Sequence, residues 1–374
     1  MRYNIDLYQS LGFGGISNFI RNISSLLVND DEKQFTGCSF WYKNISAQQY
    51  EWFKGEFHKT LYPNKFAYSS RLRLPVSYET LMHSPADLNV FFTYRLPRVN
   101  FSAPVVSTIH DIILLKTKCE SEKTIQEHLD ILKDTILHSA FILTVSEASK
   151  KDLVEEFQID ANKIFIVHNG IQQETFNRQF TSREQDAIRR KYNLPHKFIL
   201  NFGAYRKHKN IERLIEAYAN LPLGIRKDLK LVLTRSHPTL DSLIDKLGIK
   251  DYVTIIGFVH EEDKAGIYQL ANISYYASLY EGFGVPIIEA QAAGVPVITS
   301  TTSSLPEASG GAALLIDPYK VDEITEAIKT LYLDQDKREE IVERGKENSK
   351  QYTWQRSANE FTSFLNTINT HGRK

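Results

Sequence analysis

Cysteine is nearly absent: the chain has two, Cys38 and Cys119, far apart and without metal-ligand or redox-motif spacing. That excludes a disulfide framework and a cysteine-based metal site, and it fits a reducing compartment. No run of eighteen apolar residues occurs, so nothing in the sequence is long enough to span a bilayer as a helix. Residues 1–15 carry no apolar segment followed by a small-residue cleavage site, so no secretory signal is expected there and the chain reads as cytoplasmic. Charge of one sign is missing as well, with Lys+Arg and Asp+Glu both at 45. No global field favours nucleic acid or an anionic membrane, and any such preference has to be local. The eleven histidines show no ligand spacing. Asp334-Gln335-Asp336 has the form of a metal-binding D-x-D but follows no strand, so a solvated turn is expected and no metal or other cofactor is assigned.

What is present is alternation. Short β-branched runs, among them Val105–Ile109, Phe141–Val145, Ile164–Val167, Phe198–Phe202, Leu229–Thr234, Val253–Ile256, Ile273–Tyr276 and Val295–Thr299, alternate with amphipathic stretches. Strand, helix, strand in repetition predicts α/β architecture with parallel sheets covered on both faces. At 374 residues the chain is long for one core, so two doubly wound domains are expected. The pattern breaks at the polar stretch 172–196. That places a first domain at 1–180 and a second at 181–355, with a helix at 356–374 able to pack on either.

The densest chemical signal is Tyr280 to Ala290, followed by Gly294-Val295-Pro296. Gly282 and Gly284 bracket Phe283 and let the backbone approach a ligand. After Val285, Pro286 suits the first position of a helix and Gly294 its C-terminal cap. Free N–H groups at such a helix start favour phosphate. Glu289 is expected in the first turn, positioned for ribose hydroxyls, and Glu281 in the loop before it. A second constellation, Gly203-Ala204-Tyr205-Arg206-Lys207-His208-Lys209, joins a strand to a helix with a basic loop suited to a diphosphate.

Glu281 and Glu289 form an E-x7-E pattern, and this region resembles the donor site of retaining glycosyltransferases of family four, which have the GT-B fold of two Rossmann-like domains facing across a cleft. The resemblance runs through Phe202-Gly203, Lys209-Asn210-Ile211, Gly257, Ser278 to Ala290, Ser303 to Glu307 and Leu314 to Pro318. It implies that Glu289 binds the nucleotide ribose, that Glu281 meets the sugar or its phosphate, and that Lys209 meets the β-phosphate. Relatives place an arginine directly after the glycine, where this chain has Ala204. Arg206 or His208 then supplies the second positive group. In the first half, Gly14 and Gly15 precede a helix striped by Ile16, Phe19, Ile20, Ile23 and Leu27, and the resemblance places this loop near the donor phosphates. His110, after the run ending at Ile109, matches a histidine that touches the transferred sugar.

The resemblance therefore implies a hexosyltransferase that needs no metal and retains anomeric configuration. Its partners are a nucleotide-diphosphate sugar, with GDP-mannose mildly preferred, and a saccharide or lipid-linked acceptor in cell-surface polysaccharide synthesis. Nucleic acid is not expected. The segment 42–94 is rich in aromatics (Tyr50, Trp52, Phe53, Phe57, Tyr62, Phe66, Tyr68, Tyr78) and carries Lys54, Lys59, Lys65, Arg71 and Arg73. It reads either as an acceptor-side surface with peripheral membrane contact or as a packed excursion of the first domain. Other readings are a silent nucleotide-sugar-binding subunit, or a hydrolase or epimerase of the same fold. A nicotinamide oxidoreductase lacks support because G-x-G-x-x-G is missing.

Overall fold

A computed structural model describes residues 1–12, 14–29, 31–40, 47–60 and 73–371. The chain forms two units: Met1–Gly170 together with the residues from Trp354 onward, and Ile171–Thr353. The strands of the first unit are β1 (Arg2–Asp6), β2 (Gln34–Phe40), β3 (Glu56–Thr60), β4 (Leu74–Ser77), β5 (Leu88–Phe91), β6 (Val99–Asn100), β7 (Val105–Thr108), β8 (Phe141–Thr144) and β9 (Ile164–Ile166). Among the described residues, seven of them make one parallel sheet in the order β3-β2-β1-β5-β7-β8-β9, and β4 pairs with β6. The second unit contributes β10 (Lys197–Asn201), β11 (Leu229–Leu233), β12 (Val253–Ile255), β13 (Ile273–Tyr276), β14 (Val297–Ser300) and β15 (Leu314–Ile316), again parallel, in the order β12-β11-β10-β13-β14-β15. Most of these strands are buried along their length, as strands covered on both faces must be. In the second unit Leu214, Tyr218 and Ile328 from flanking helices close over Ile199, Leu231 and Tyr275.

Each sheet reverses its strand order once. The first steps from β1 to β2 and β3, then returns to place β5 on the other side of β1; the second does the same between β10 and β13. In open parallel sheets the loops at the carboxyl ends of two such strands diverge and leave a crevice for ligands.

The domain boundaries differ from the sequence expectation. The first crossing falls after Gly170 and the second before Trp354, rather than at 180 and 355. The stretch after 170 looks like a linker because it is polar, yet one aromatic anchors it: Phe176 is buried against Tyr268, and Gln269 Nε2 donates to the carbonyls of Phe176 and Arg178 at 2.9 and 2.6 Å. The expected helix near 183–192 forms as Ser182–Tyr192 inside the second unit, closed by a capping box between Thr181 and Glu184. The C-terminal helix, Trp354–His371, returns to the first unit. Its buried Phe361 and Phe364 pack edge-on or tilted against Phe92 (5.2 Å) and Phe165 (4.8 Å), and Glu360 accepts from the backbone N–H of His168 at 2.9 Å.

Of the two readings of 42–94, the residues that follow take the packed one. Tyr50, Phe53 and Tyr78 are core residues, and Tyr50 stacks on Phe57 at 4.4 Å. Arg73 donates to the Val99 carbonyl at 2.7 Å and pairs with Asp134 at 2.9 Å, a structural clamp rather than a free surface cation. Tyr62, Lys65, Phe66, Tyr68 and Arg71 lie outside the described residues. Among the described residues no helix is long and apolar enough to cross a membrane.

Candidate active site

In the second unit the loop between β13 and the helix Val285–Ala292 is held rigidly from behind. Ser304 Oγ donates to the carbonyls of Glu281 (2.9 Å) and Phe283 (2.7 Å), and the Glu281 N–H donates to Ser303 Oγ (3.0 Å). Gly284 caps the helix at φ 123°, where a Cβ would also stand 2.9 Å from Leu305 Cδ2, so both conformation and space require glycine. The helix starts one residue earlier than expected. Val285 takes the first position, Pro286 the second, and Glu289 therefore lies beyond the first turn. Gly294, at φ 74°, follows the C-cap as expected.

Lys209 ends a short turn (Lys207–Lys209) after β10. Its ammonium donates to Glu281 Oε1 at 2.6 Å and to the Tyr276 hydroxyl at 2.5 Å. The two loops are stitched together: the Leu279 N–H donates to the His208 carbonyl at 2.7 Å, and buried Asn210 donates to the carbonyls of Ala277 (3.2 Å) and Pro318 (2.7 Å). Burial works against the Lys209 charge, but Tyr276 and Glu281 outweigh it and raise the ammonium above the ordinary lysine range. Burial likewise opposes the Glu281 carboxylate, and Lys209 with Ser278 and His208 holds it below the usual carboxylate range. The pair is ionised and sits at the reversal between β10 and β13. Arg206 is exposed, while burial lowers the half-buried His208 despite the pull of Glu281. Gly203, at φ 139°, has open space where its Cβ would be.

Glu289 is buried and engaged. It accepts from Lys264 and, at 3.2 Å, from the Tyr268 hydroxyl. Burial opposes the Lys264 charge, but Glu289 and Glu261 hold the ammonium above its ordinary range; it sits 5.3 Å from the Phe202 ring centroid and 5.7 Å from that of Phe176. Sequence reasoning missed Lys264 and Tyr268. Their signal is a lysine and a tyrosine four apart on the apolar face of the helix Glu261–Leu270, beside Ala265 and Ile267, where a lysine needs a buried partner.

In the first unit Gly14 (φ 119°) caps the helix Gly15–Leu26, and both glycines have open space in place of a side chain. Phe19 of that helix meets the His110 ring edge-on at 5.0 Å. His110 follows β7, its Nε2 lies 3.2 Å from the Phe92 carbonyl, and Ser149 Oγ donates to its own carbonyl at 3.1 Å. Burial lowers its pKa to about 4 against the opposing Phe92 contact. The imidazole is thus neutral at physiological pH, with Nε2–H on Phe92 and Nδ1 left as an acceptor. An NMR titration should show His110 changing charge near pH 4 rather than near 6.5. Because the folded pKa is depressed, its contribution to stability is complete above pH 6.5 and is lost as pH falls toward 4. A His110 resonance titrating near 6.5 would contradict this placement.

Asp334 of the D-x-D accepts from the Lys337 N–H at 2.9 Å and caps the helix Gln335–Ser349. Lys209, Arg206, His208, Gly203, Glu281 to Pro286 and Glu289 all belong to the second unit, while Gly14, Gly15 and His110 belong to the first.

Residues 184–348 match the model of the family "Glycosyl transferases group 1". The O-antigen chain mannosyltransferase B of Escherichia coli is 31% identical over 313 residues, covering 80% of this chain and 76% of that protein. The chain belongs to the group 1 glycosyltransferases. Among solved structures, the sucrose-phosphate synthase of Thermosynechococcus elongatus superposes with a TM-score of 0.73 at 17% identity, over 99% of this glycosyltransferase and all of that chain. Anabaena HepE in complex with UDP and glucose gives 0.70 at 15% identity, over 98% of this chain and all of that one. The two Rossmann-like units are those of the GT-B fold.

Proposed function

We propose that this glycosyltransferase moves a hexose, with mannose from GDP-mannose preferred, from its nucleotide diphosphate to a saccharide or lipid-linked acceptor in cell-surface polysaccharide synthesis, with retention of configuration. The observation that carries the reading is the ionised Lys209–Glu281 pair at the strand reversal of the second unit, beside the start of the helix Val285–Ala292. The mannose preference rests on the mannosyltransferase relative.

In this reading Lys209 and the helix start hold the diphosphate. Arg206 is the second positive group, since its charge is permanent and that of His208 is weakened by burial. Glu289, steadied by Lys264 and Tyr268, receives the ribose hydroxyls. Glu281 holds Lys209 and meets the sugar, and His110 Nδ1 accepts from a sugar hydroxyl. The bond from the anomeric carbon to the diphosphate oxygen breaks, and its electron pair stays on the diphosphate. The acceptor oxygen bonds to that carbon on the same face, and its proton passes to the departing diphosphate. Fixed cations stabilise the growing charge without a metal.

Turnover of a panel of nucleotide sugars, with excess chelator in a parallel series, tests this. GDP-mannose should be the best donor and chelator should leave its rate nearly unchanged. A tenfold loss restored by magnesium or manganese would overturn metal independence, and binding without turnover of any donor would favour a silent subunit.

A further inference from the structure

The first unit holds an arginine whose charge the fold leaves unused. Its neighbours Arg73 and Arg98 both spend theirs on Asp134, at 2.9 and 2.6 Å. Arg95, four residues past the end of β5, is half-buried and has neither a hydrogen bond nor an ion pair at its guanidinium among the described residues. Its backbone is fixed: the Arg95 N–H donates to Thr93 Oγ1 at 3.4 Å, the Thr93 carbonyl accepts from Thr108 of β7 at 3.3 Å, and the Tyr94 carbonyl accepts from Thr135. Arg95 is among the charges that act on the ionisation of Tyr8, Tyr94 and His128. His128 is 9% exposed, lies edge-on to Tyr94 at 5.0 Å, and its Nε2 has no partner. A buried imidazole nitrogen without a partner is costly unless something arrives to meet it. The acids nearby are already engaged. Asp6 accepts from the Tyr8 N–H and the Tyr78 hydroxyl (3.2 and 3.1 Å), and Asp111 from the Ile113 N–H (2.9 Å). Tyr8 follows β1 and Tyr94 and Arg95 follow β5, so the cluster stands at the strand reversal of the first sheet, where parallel sheets take ligands.

We infer that Arg95, with Tyr8, Tyr94 and His128, forms an oxyanion site for a phosphate group carried by the acceptor. A guanidinium fork with phenol and imidazole N–H donors around it suits a tetrahedral oxyanion, which accepts from several directions, better than a planar carboxylate. The inference rests on the glycosyl-transfer reading, and two sources share the chemistry: a lipid diphosphate and a soluble sugar phosphate.

The test compares mannose presented as an alkyl diphosphate, as mannose phosphate and as a neutral alkyl mannoside. In Arg95→Met the preference for the phosphorylated over the neutral acceptor, as a ratio of kcat/KM, should fall by about tenfold to a hundredfold, and Arg95→Lys should restore part of it. A loss confined to the alkyl diphosphate identifies the lipid source, and one confined to mannose phosphate the soluble source. An unchanged ratio for both overturns the site, as does an equal loss on all three acceptors. Should Arg95→Met fail to fold, the wild-type protein decides. With the nucleotide site saturated by nucleoside diphosphate, inorganic pyrophosphate should still bind by calorimetry and should compete with the phosphorylated acceptor. No binding under that condition overturns the inference. Wild-type protein that binds pyrophosphate there but transfers sugar to no acceptor keeps the anion site and refutes the glycosyl-transfer reading instead.

Discussion

Lys209→Ala is expected to lower turnover by about a hundredfold to a thousandfold, the cost of losing one fixed charge-stabilising donor. The diphosphate gains charge as the glycosidic bond breaks, so turnover should suffer more than ground-state binding of the intact donor. The structure adds a second consequence. Lys209 is the partner of a buried Glu281, at 2.6 Å with side-chain exposures of 21% and 13%. Removing it strands a carboxylate, which typically costs about 3–5 kcal/mol. Lys209→Ala should therefore also lower the unfolding midpoint of the second unit. The double variant Lys209→Met with Glu281→Gln separates the effects: most of the stability should return while turnover stays low. If turnover returns together with stability, Lys209 acts only through packing. Thermal or urea unfolding alongside steady-state rates gives both readouts.

Glu289→Ala is expected to weaken nucleoside diphosphate binding by roughly 1.5–3 kcal/mol, the value of a hydrogen bond to a charged group. In the proposed reading the ribose contact is made before and after the chemical step, so here affinity is expected to fall first. The substitution also leaves the Lys264 ammonium buried beside Phe176 and Phe202 without its carboxylate. Lys264→Met makes the converse change. Burial already raises the Glu289 carboxyl against the pull of Lys264, and without the lysine it rises further. Nucleotide affinity in that variant should be normal at high pH and lost as pH falls through the Glu289 pKa, at a higher pH than in the wild type, because only the ionised carboxylate accepts both ribose hydroxyls. Calorimetry across pH measures it. Unchanged nucleotide affinity in a folded Glu289→Ala protein would overturn the donor-site reading.

The strand runs from Val105 to Thr299 were legible because each is a short β-branched segment, and they coincide with β7 to β14 to within a few residues. The glycine turns were legible for a similar reason: Gly14, Gly203 and Gly284 all adopt positive φ at element ends. The Glu289 side chain was assigned to an open first turn, yet its partners are on another helix, 25 and 21 residues back in the chain. Arg73 had the composition of a binding surface, and only its pairing with Asp134, 61 residues away, shows it to be a clamp.

Alternation, capping residues and glycine turns are local properties, so the amino-acid sequence by itself determined the α/β class, the parallel sheets and the position of the glycine loop before the helix Val285–Ala292. The tertiary structure decided which charges are already neutralised and which remain. Lys209 and Glu281 are 72 residues apart, and the His168–Glu360 contact that anchors the C-terminal helix spans 192. Burial raises or lowers a side chain's ionisation according to what stands beside it, and that neighbour is set by how the strands and helices pack, which no periodicity encodes.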